Sequence, residues 1–334
     1  MGFSSQAGQT ILRTQAVAGT YQADTGTAGV GLKLRSGSLS PTRELLIPDP
    51  EIGGGRDVSD AYLGAGAFSG DYEFYTRMGG VATLLYACLG TKADATVAAT
   101  EQHTITPSDA ALLPFLSIEE KIGAGLETYR YNDAVVNTLH LECEANGYLM
   151  GTAGIIAAKQ IAGATPTASP LFDETPMIVG TNITVTYNSV SLPAKSFSLD
   201  INNNIEDDDF RLGSFYLGDL TPKRREITAS FSLRQTSSAI WRQATYGTTA
   251  ATQMGGLVTK QPLVITMSTY EVIGATVIPY SLTLTIPKFA YKPFAFDPSG
   301  DDIIENDVEG QALRPAVATP IMTALVVNST ATVA

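Results

Sequence analysis

Few side chains in this sequence could do chemistry. Two histidines and two cysteines stand among 334 residues, beside several acidic clusters. His103 lies in a Thr-rich stretch that reads as a loop. His140 alternates with Leu139 and Leu141, so it should face outward from a strand. Neither has the sequence context of a catalytic triad or a metal-binding helix. Cys88 falls on the apolar side of a short helical pattern and Cys143 in a strand-like run, so both read as buried thiols. No Walker loop, nucleophile elbow or paired-cysteine motif appears. Gly53-Gly54-Gly55 follows no strand and opens no helix, so it lacks the setting of a phosphate cradle. No catalytic constellation assembles from these residues, and no cofactor is expected.

Two acidic clusters each allow two readings. Asp297-Pro298-Ser299-Gly300-Asp301-Asp302-Ile303-Ile304-Glu305 gathers oxygens of the kind Ca²⁺ takes, but without the spacing of an EF-hand. The competing reading is a solvated or subunit-facing acidic loop. Glu206-Asp207-Asp208-Asp209 should repel itself into an extended loop unless a neighbour's cations answer it. Lys223-Arg224-Arg225 could supply that answer from an adjacent subunit, or form a solvated basic turn.

The net charge is −12 and hydrophobic residues make up 44%, enough for a real core. So acidic a chain cannot release counterions from phosphates, which argues against a grip on nucleic acid. Residues 1–6 carry no basic cluster ahead of an apolar run, so no export signal is expected, and Gln6 departs from the myristoylation pattern. No apolar stretch is long enough to span a bilayer.

Gly and Pro punctuate short runs rich in Val, Ile, Thr and Tyr, which predicts a mainly β protein. Residues 1–29 read as an N-terminal arm that orders against something else. A half-buried strand follows at 31–38, then a long loop at 41–66 carrying Pro48, Asp49, Glu51, Arg56 and Asp57. Strands are expected at 68–77, 115–121, 126–131, 135–144 and 148–159, with a turn at Asn132-Asp133. The stretch 160–180 reads as a boundary. Beyond it, 182–190 and 196–201 are expected to pair, followed by strands at 226–234, 262–271, 277–288 and 319–328. The acidic run 297–309 reads as a loop.

One phrase occurs twice. Phe74-Tyr75-Thr76-Arg77 leads through a short apolar helix to Leu89-Gly90, and Phe231-Ser232-Leu233-Arg234 leads likewise to Tyr246-Gly247, always 157 residues later. Val81, Leu84, Leu85 and Cys88 form the inward face of the first helix. Ile240, Trp241 and Ala244 form that of the second, with Thr236 or Ser237 as its cap. The expected organisation is two tandem antiparallel β-sandwich or barrel modules with one short helix each, 30–165 and 166–334. Arg77 and Arg234 could bind a carboxylate in or between modules, or lie on the surface as snorkelling arginines.

The arm, the strand before a long loop, the strand–helix unit ending in Leu89-Gly90 or Tyr246-Gly247, and the long hairpins after it together resemble the major tail tube proteins of long, non-contractile-tailed bacteriophages. The likeness is to those with two tube modules in one chain. It implies a structural protein of the virion tail that stacks in rings, with strands lining a barrel, helices outside, and loops and arm bridging rings. It implies self-association as homotrimeric, pseudo-hexameric rings, or homohexameric ones. It also implies a tape measure protein and genomic DNA in the lumen without specific binding, terminator and distal tail proteins at the ends, and no membrane partner. Other virion proteins (a tail terminator, a capsid decoration protein, a fibre-like adhesin) and a carbohydrate-binding β-sandwich pair are the competing readings.

Overall fold

The computed structural model describes residues 4–23, 29–53, 56–58, 60–296, 303–316, 319–331 and 333. The chain opens with β1 (Gln9–Thr14), β2 (Val30–Leu32), β3 (Leu34–Ser36), β4 (Ser40–Pro41), β5 (Leu45–Leu46), β6 (Tyr62–Leu63) and β7 (Phe68–Tyr75). Helix α1 (Met78–Leu89) follows, then β8 (Gly90–Val97), β9 (Thr100–Pro107), β10 (Leu116–Ile122), β11 (Glu127–Glu144) and β12 (Met150–Ile161). Next come β13 (Ile183–Tyr187), β14 (Val190–Ser191), β15 (Ala194–Asn202), β16 (Glu226–Arg234) and helix α2 (Ala239–Tyr246). The last strands are β17 (Gln261–Val272), β18 (Pro279–Tyr291), β19 (Glu305–Ala312) and β20 (Thr323–Asn328).

The strands form sandwich layers, antiparallel in every strand-to-strand pairing, and close no barrel among the described residues. One layer runs from β3 and β4 through β7, β12, β11, β15 and β16 to β19. Alternate residues along it are apolar and buried, such as Tyr72 and Phe74, Leu139 and Leu141, Leu199 and Ile201, and Phe231 and Leu233. The two-residue period of a strand gives this layer one dry face. Two further arrays complete the sandwich: β2–β1–β10 with the first half of β11, and β13–β17–β18–β20–β9–β8. Helix α1 touches strands of all three, and ten of its residues are buried. A helix apolar on every side must be enclosed to be stable.

The repeated phrase keeps its pairing register. Phe74 lies opposite Gly151, and 157 residues later Phe231 lies opposite Val308. Tyr72 with Ala153 is matched in the same way by Ala229 with Gly310. The helix ends agree as well: Gly90 (φ 104°) and Gly247 (φ 95°) are left-handed caps, donating to the carbonyls of Tyr86 and Gln243. Glycine adopts this conformation without a steric penalty, and at Gly247 a Cβ would collide with the Leu257 carbonyl.

Several expectations are corrected. Gln9–Thr14, expected within an arm, forms β1, with Ile11 and Leu12 buried against the core. The turn expected at Asn132-Asp133 is a bulge inside the single strand β11, with Asp133 at φ 53°. Asp tolerates that backbone where β-branched residues do not. His103 is fully buried in β9, not in a loop. The segments 182–190 and 196–201 do not pair with each other: β13 joins β17, and β15 joins β11 and β16. Helix α2 buries only Gln243 and Ala244, while Trp241 stacks on Phe296 with centroids 5.2 Å apart. Its N-cap is Ser238, without a side-chain cap bond.

Candidate functional site

The wet face of the long layer is its chemically distinctive surface. Because opposed residues in an antiparallel pair share a face, one set of side chains can be followed across six strands. It starts with Asp71 and Glu73 on β7 and crosses Thr152 on β12 to His140 and Glu142 on β11. It continues through Asp200 and Ser198 on β15 and Glu226, Thr228 and Ser230 on β16 to Glu305, Asp307 and Glu309 on β19. Asp71, Glu73, Glu142, Asp200, Glu226, Asp307 and Glu309 are all exposed. Few cations interrupt them. His140 bonds Asp200 at 2.6 Å and lies 3.4 Å from Glu142, and these contacts, the Asp200 bond first, raise its pKa above the ordinary imidazole value. Lys292 pairs with Glu309, and Lys195 with Glu305.

Glu305, Asp307 and Glu309 were expected in an acidic loop, Glu305 as the last residue of its Ca²⁺-like cluster. They instead project from strand β19, whose alternate residues Asn306, Val308 and Gly310 are buried. That spacing along an extended strand spreads the carboxylates in a row rather than around an ion. Asp297, Asp301 and Asp302 lie outside the described residues. The alternation of Glu305-Asn306-Asp307-Val308-Glu309-Gly310 was the signal that could have revealed the strand.

Two long loops stand side by side at one end of this layer. The segment 41–66 contains the small β5–β6 hairpin, and the equivalent connection 203–225 joins β15 to β16. They touch where Gly66 N–H donates to Phe215 O at 3.1 Å. Pro48, Asp49, Glu51, Arg56 and Asp57 are all exposed on the first loop. Leu45, Leu46, Ile47, Tyr62 and Leu63, which were not singled out as site residues, are each more than half exposed, as is Phe215 on the second loop. An apolar cluster of that size in water marks a contact surface.

Four of the charged residues expected to reach a neighbouring subunit, Glu206, Asp209, Lys223 and Arg225, have side-chain partners in their own chain. Glu206 lies 3.3 Å from Lys223, and Asp209 is held by Arg211, which also reaches Asp219 at 2.8 Å. Asp207 and Asp208 are exposed. The Arg224 carbonyl accepts from Asn204, and Arg225 donates at 3.0 Å to Asn203 Oδ1 and to Ser108 O. Arg77 and Arg234 part company. Arg77 precedes α1 and donates to the Thr175 carbonyl, whereas Arg234 is exposed on the acidic face opposite Glu305. Cys88 and Cys143 are buried free thiols, and burial pushes Cys88 up to about 12.

A buried carboxylate ties the edge of this layer to the array behind it. Glu120 on β10 accepts hydrogen bonds from the hydroxyls of Tyr72 and Tyr131 and, at 3.2 Å, from Leu39 N–H. Burial raises its pKa, and the hydrogen bonds offset only part of that. A raised folded-state pKa means that its stability contribution is complete below 4.5, its ordinary value, and is lost as pH rises through the folded value. Relative to Glu120→Gln, wild type should therefore gain stability on acidification through that window. Denaturant midpoints measured across about pH 4 to 8 check this, and parallel curves would contradict it.

A family model described as phage tail tube protein matches residues 7–312. The chain belongs to the phage tail tube family. This tail tube chain is a structural protein of the virion tail, as its family is. The sandwich of antiparallel strands agrees with the tail tube fold. No helix among the described residues is long and apolar enough to cross a membrane. No curated protein matches the chain.

Proposed function

We propose that this chain polymerises into stacked rings whose joined long layers line the tail tube, with the acidic face toward DNA passing through at ejection. The observation that carries the reading is the continuity of that face. Six strands drawn from both halves present one polar, carboxylate-rich surface, while their other side is the core. A lumen lined with negative charge gives phosphates no counterions to release, so DNA slides without sticking. The repeat supports three chains per ring, each supplying two similar units, with the apolar loops 41–66 and 203–225 seated on the next ring. Tape measure protein would occupy the same lumen before DNA, and terminator and distal tail proteins would bind the two ends.

Charge reversal tests the orientation of the face. Glu226→Lys with Asp307→Lys exchanges two exposed carboxylates for ammonium groups on neighbouring strands. Tubes of this variant should retain a short labelled duplex at low salt and release it as salt rises, while wild-type tubes retain none. Equal retention by the two would place the face elsewhere than in the lumen.

A further inference from the structure

The seam between the two halves of the chain carries the pattern for a seam between chains. β11 and β15 pair from Thr138 opposite Asn202 to Glu144 opposite Ser196. Asn203 N–H donates to Asn137 O at 2.9 Å, which makes His140 with Asp200 a pair that does not exchange backbone hydrogen bonds. On its other side β15 meets β16, with Ser198 opposite Ser230 and Asn202 opposite Glu226. In the first half Ser36 lies opposite Glu73 and Ser40 opposite Ser69, and these partners are 157 residues before Ser230 and Glu226. Ser36 therefore holds the place of Ser198, and Ser40 that of Asn202.

Where β15 has β11 beside it, β3 has no strand beside it among the described residues. That flank opens into a groove of about 740 Å³ lined by residues including Lys33, Arg35, Gly37 and Lys121. Leu39, at one end of the flank, already has its N–H held by Glu120 and its carbonyl by Tyr131, so the open stretch is 33–38. At the opposite limit of the layer, Tyr291 lies opposite Gly310 as Leu139 lies opposite Ala153, and Lys292 N–H donates to Glu309 O at 2.8 Å. Lys292 thus stands where His140 stands. Lys292, Pro293 and Ala295 are exposed there.

We infer that residues 292–296 of one copy enter the β3 groove of a second copy, antiparallel, with Lys292 opposite Ser38 and Phe294 opposite Ser36. This rests on the ring reading above and adds which edges meet and in what register. Two open edges of one layer satisfy each other's backbone groups in this way. Pro293 has no N–H to give and the Ala295 carbonyl already accepts from Asn306 Nδ2 at 2.9 Å, so the hydrogen bonds of the seam come from the Pro293 carbonyl and the Ala295 N–H. The same proline discourages mispairing of the free chain.

The double variant Ser38→Cys/Lys292→Cys reads the register. A pair without mutual backbone hydrogen bonds brings its Cα atoms to about 4.5 Å, within reach of a disulfide. Oxidised tubes should yield, on a non-reducing denaturing gel, linked chains in a series ending at three. His140→Cys/Asp200→Cys should close only within a chain. Ser38→Cys/Pro293→Cys, which sets the thiols on opposite faces, should give less than about a tenth of the interchain product. If the first variant does not assemble, Arg35→Cys/Ala295→Cys, at two exposed positions that the same register sets opposite each other, reports it instead. Tubes with no interchain bond in either variant, while the internal pair oxidises, would overturn the seam and leave the ring reading standing. Failure of wild type to form rings would overturn both.

Discussion

Replacing residues 45–63 with a short Gly-Ser link should leave a folded chain that closes rings but no longer stacks them into tubes. The cut spares β4 and β7, whose pairing of Ser40 with Ser69 and Pro41 with Phe68 anchors the loop to the layer. It removes Leu45, Leu46, Ile47, Tyr62 and Leu63, each more than half exposed in the isolated chain. Covering the remaining surface of five such side chains on a neighbouring ring contributes about 5 kcal/mol per chain, or a factor of roughly 4 × 10³ in contact affinity. Ordering the loop offsets part of this gain, so the free chain stays dispersed until a completed ring is presented. Negative-stain micrographs would show single rings where wild type shows tubes, with an unchanged melting transition. Normal tubes from the shortened chain would remove the loop from the account.

Asn203→Ala should cost about 3–4 kcal/mol of stability, because the side chain is fully buried with every polar atom engaged. Its amide donates to Cys88 O at 3.0 Å and Val136 O at 3.1 Å, and its Oδ1 accepts from Arg225 Nε at 3.0 Å. One residue of the 203–225 connection thereby joins the end of α1, strand β11 and the basic Lys223-Arg224-Arg225 turn. Truncation leaves two carbonyls and part of a guanidinium without partners in a dry site. Denaturant unfolding of the unassembled chain measures the loss. A change below about 1 kcal/mol would mean that water or a shifted Arg225 fills the gap.

The repeat was legible because its signals are local. A strand, an apolar helix and a glycine that must turn left-handed all lie within one short phrase, and Gly90 and Gly247 cap their helices as that phrase implied. The β8–β9 hairpin was not legible, because Ala98 and Ala99 take positive φ there without the Asn or Gly that usually signals such a turn. His103 looked like a loop residue, yet it bonds Asp94 at 2.7 Å and Asn328 at 3.0 Å. Asn328 lies 225 residues away in sequence, beyond the reach of any local pattern. Strand partners were misjudged for the same reason: β15 alternates as it would beside any neighbour, and only tertiary packing chooses β11. The acidic face shows the limit most clearly. Its carboxylates were visible as a composition of −12, but their gathering on one surface depends on five registers that no single segment contains.

The central claim is that two similar halves per chain close a ring with half as many chains as units. Native mass spectrometry of a single ring released from purified tubes tests it most directly. The account requires a ring of three chains of 35.2 kDa each; a ring of six such chains would contradict it.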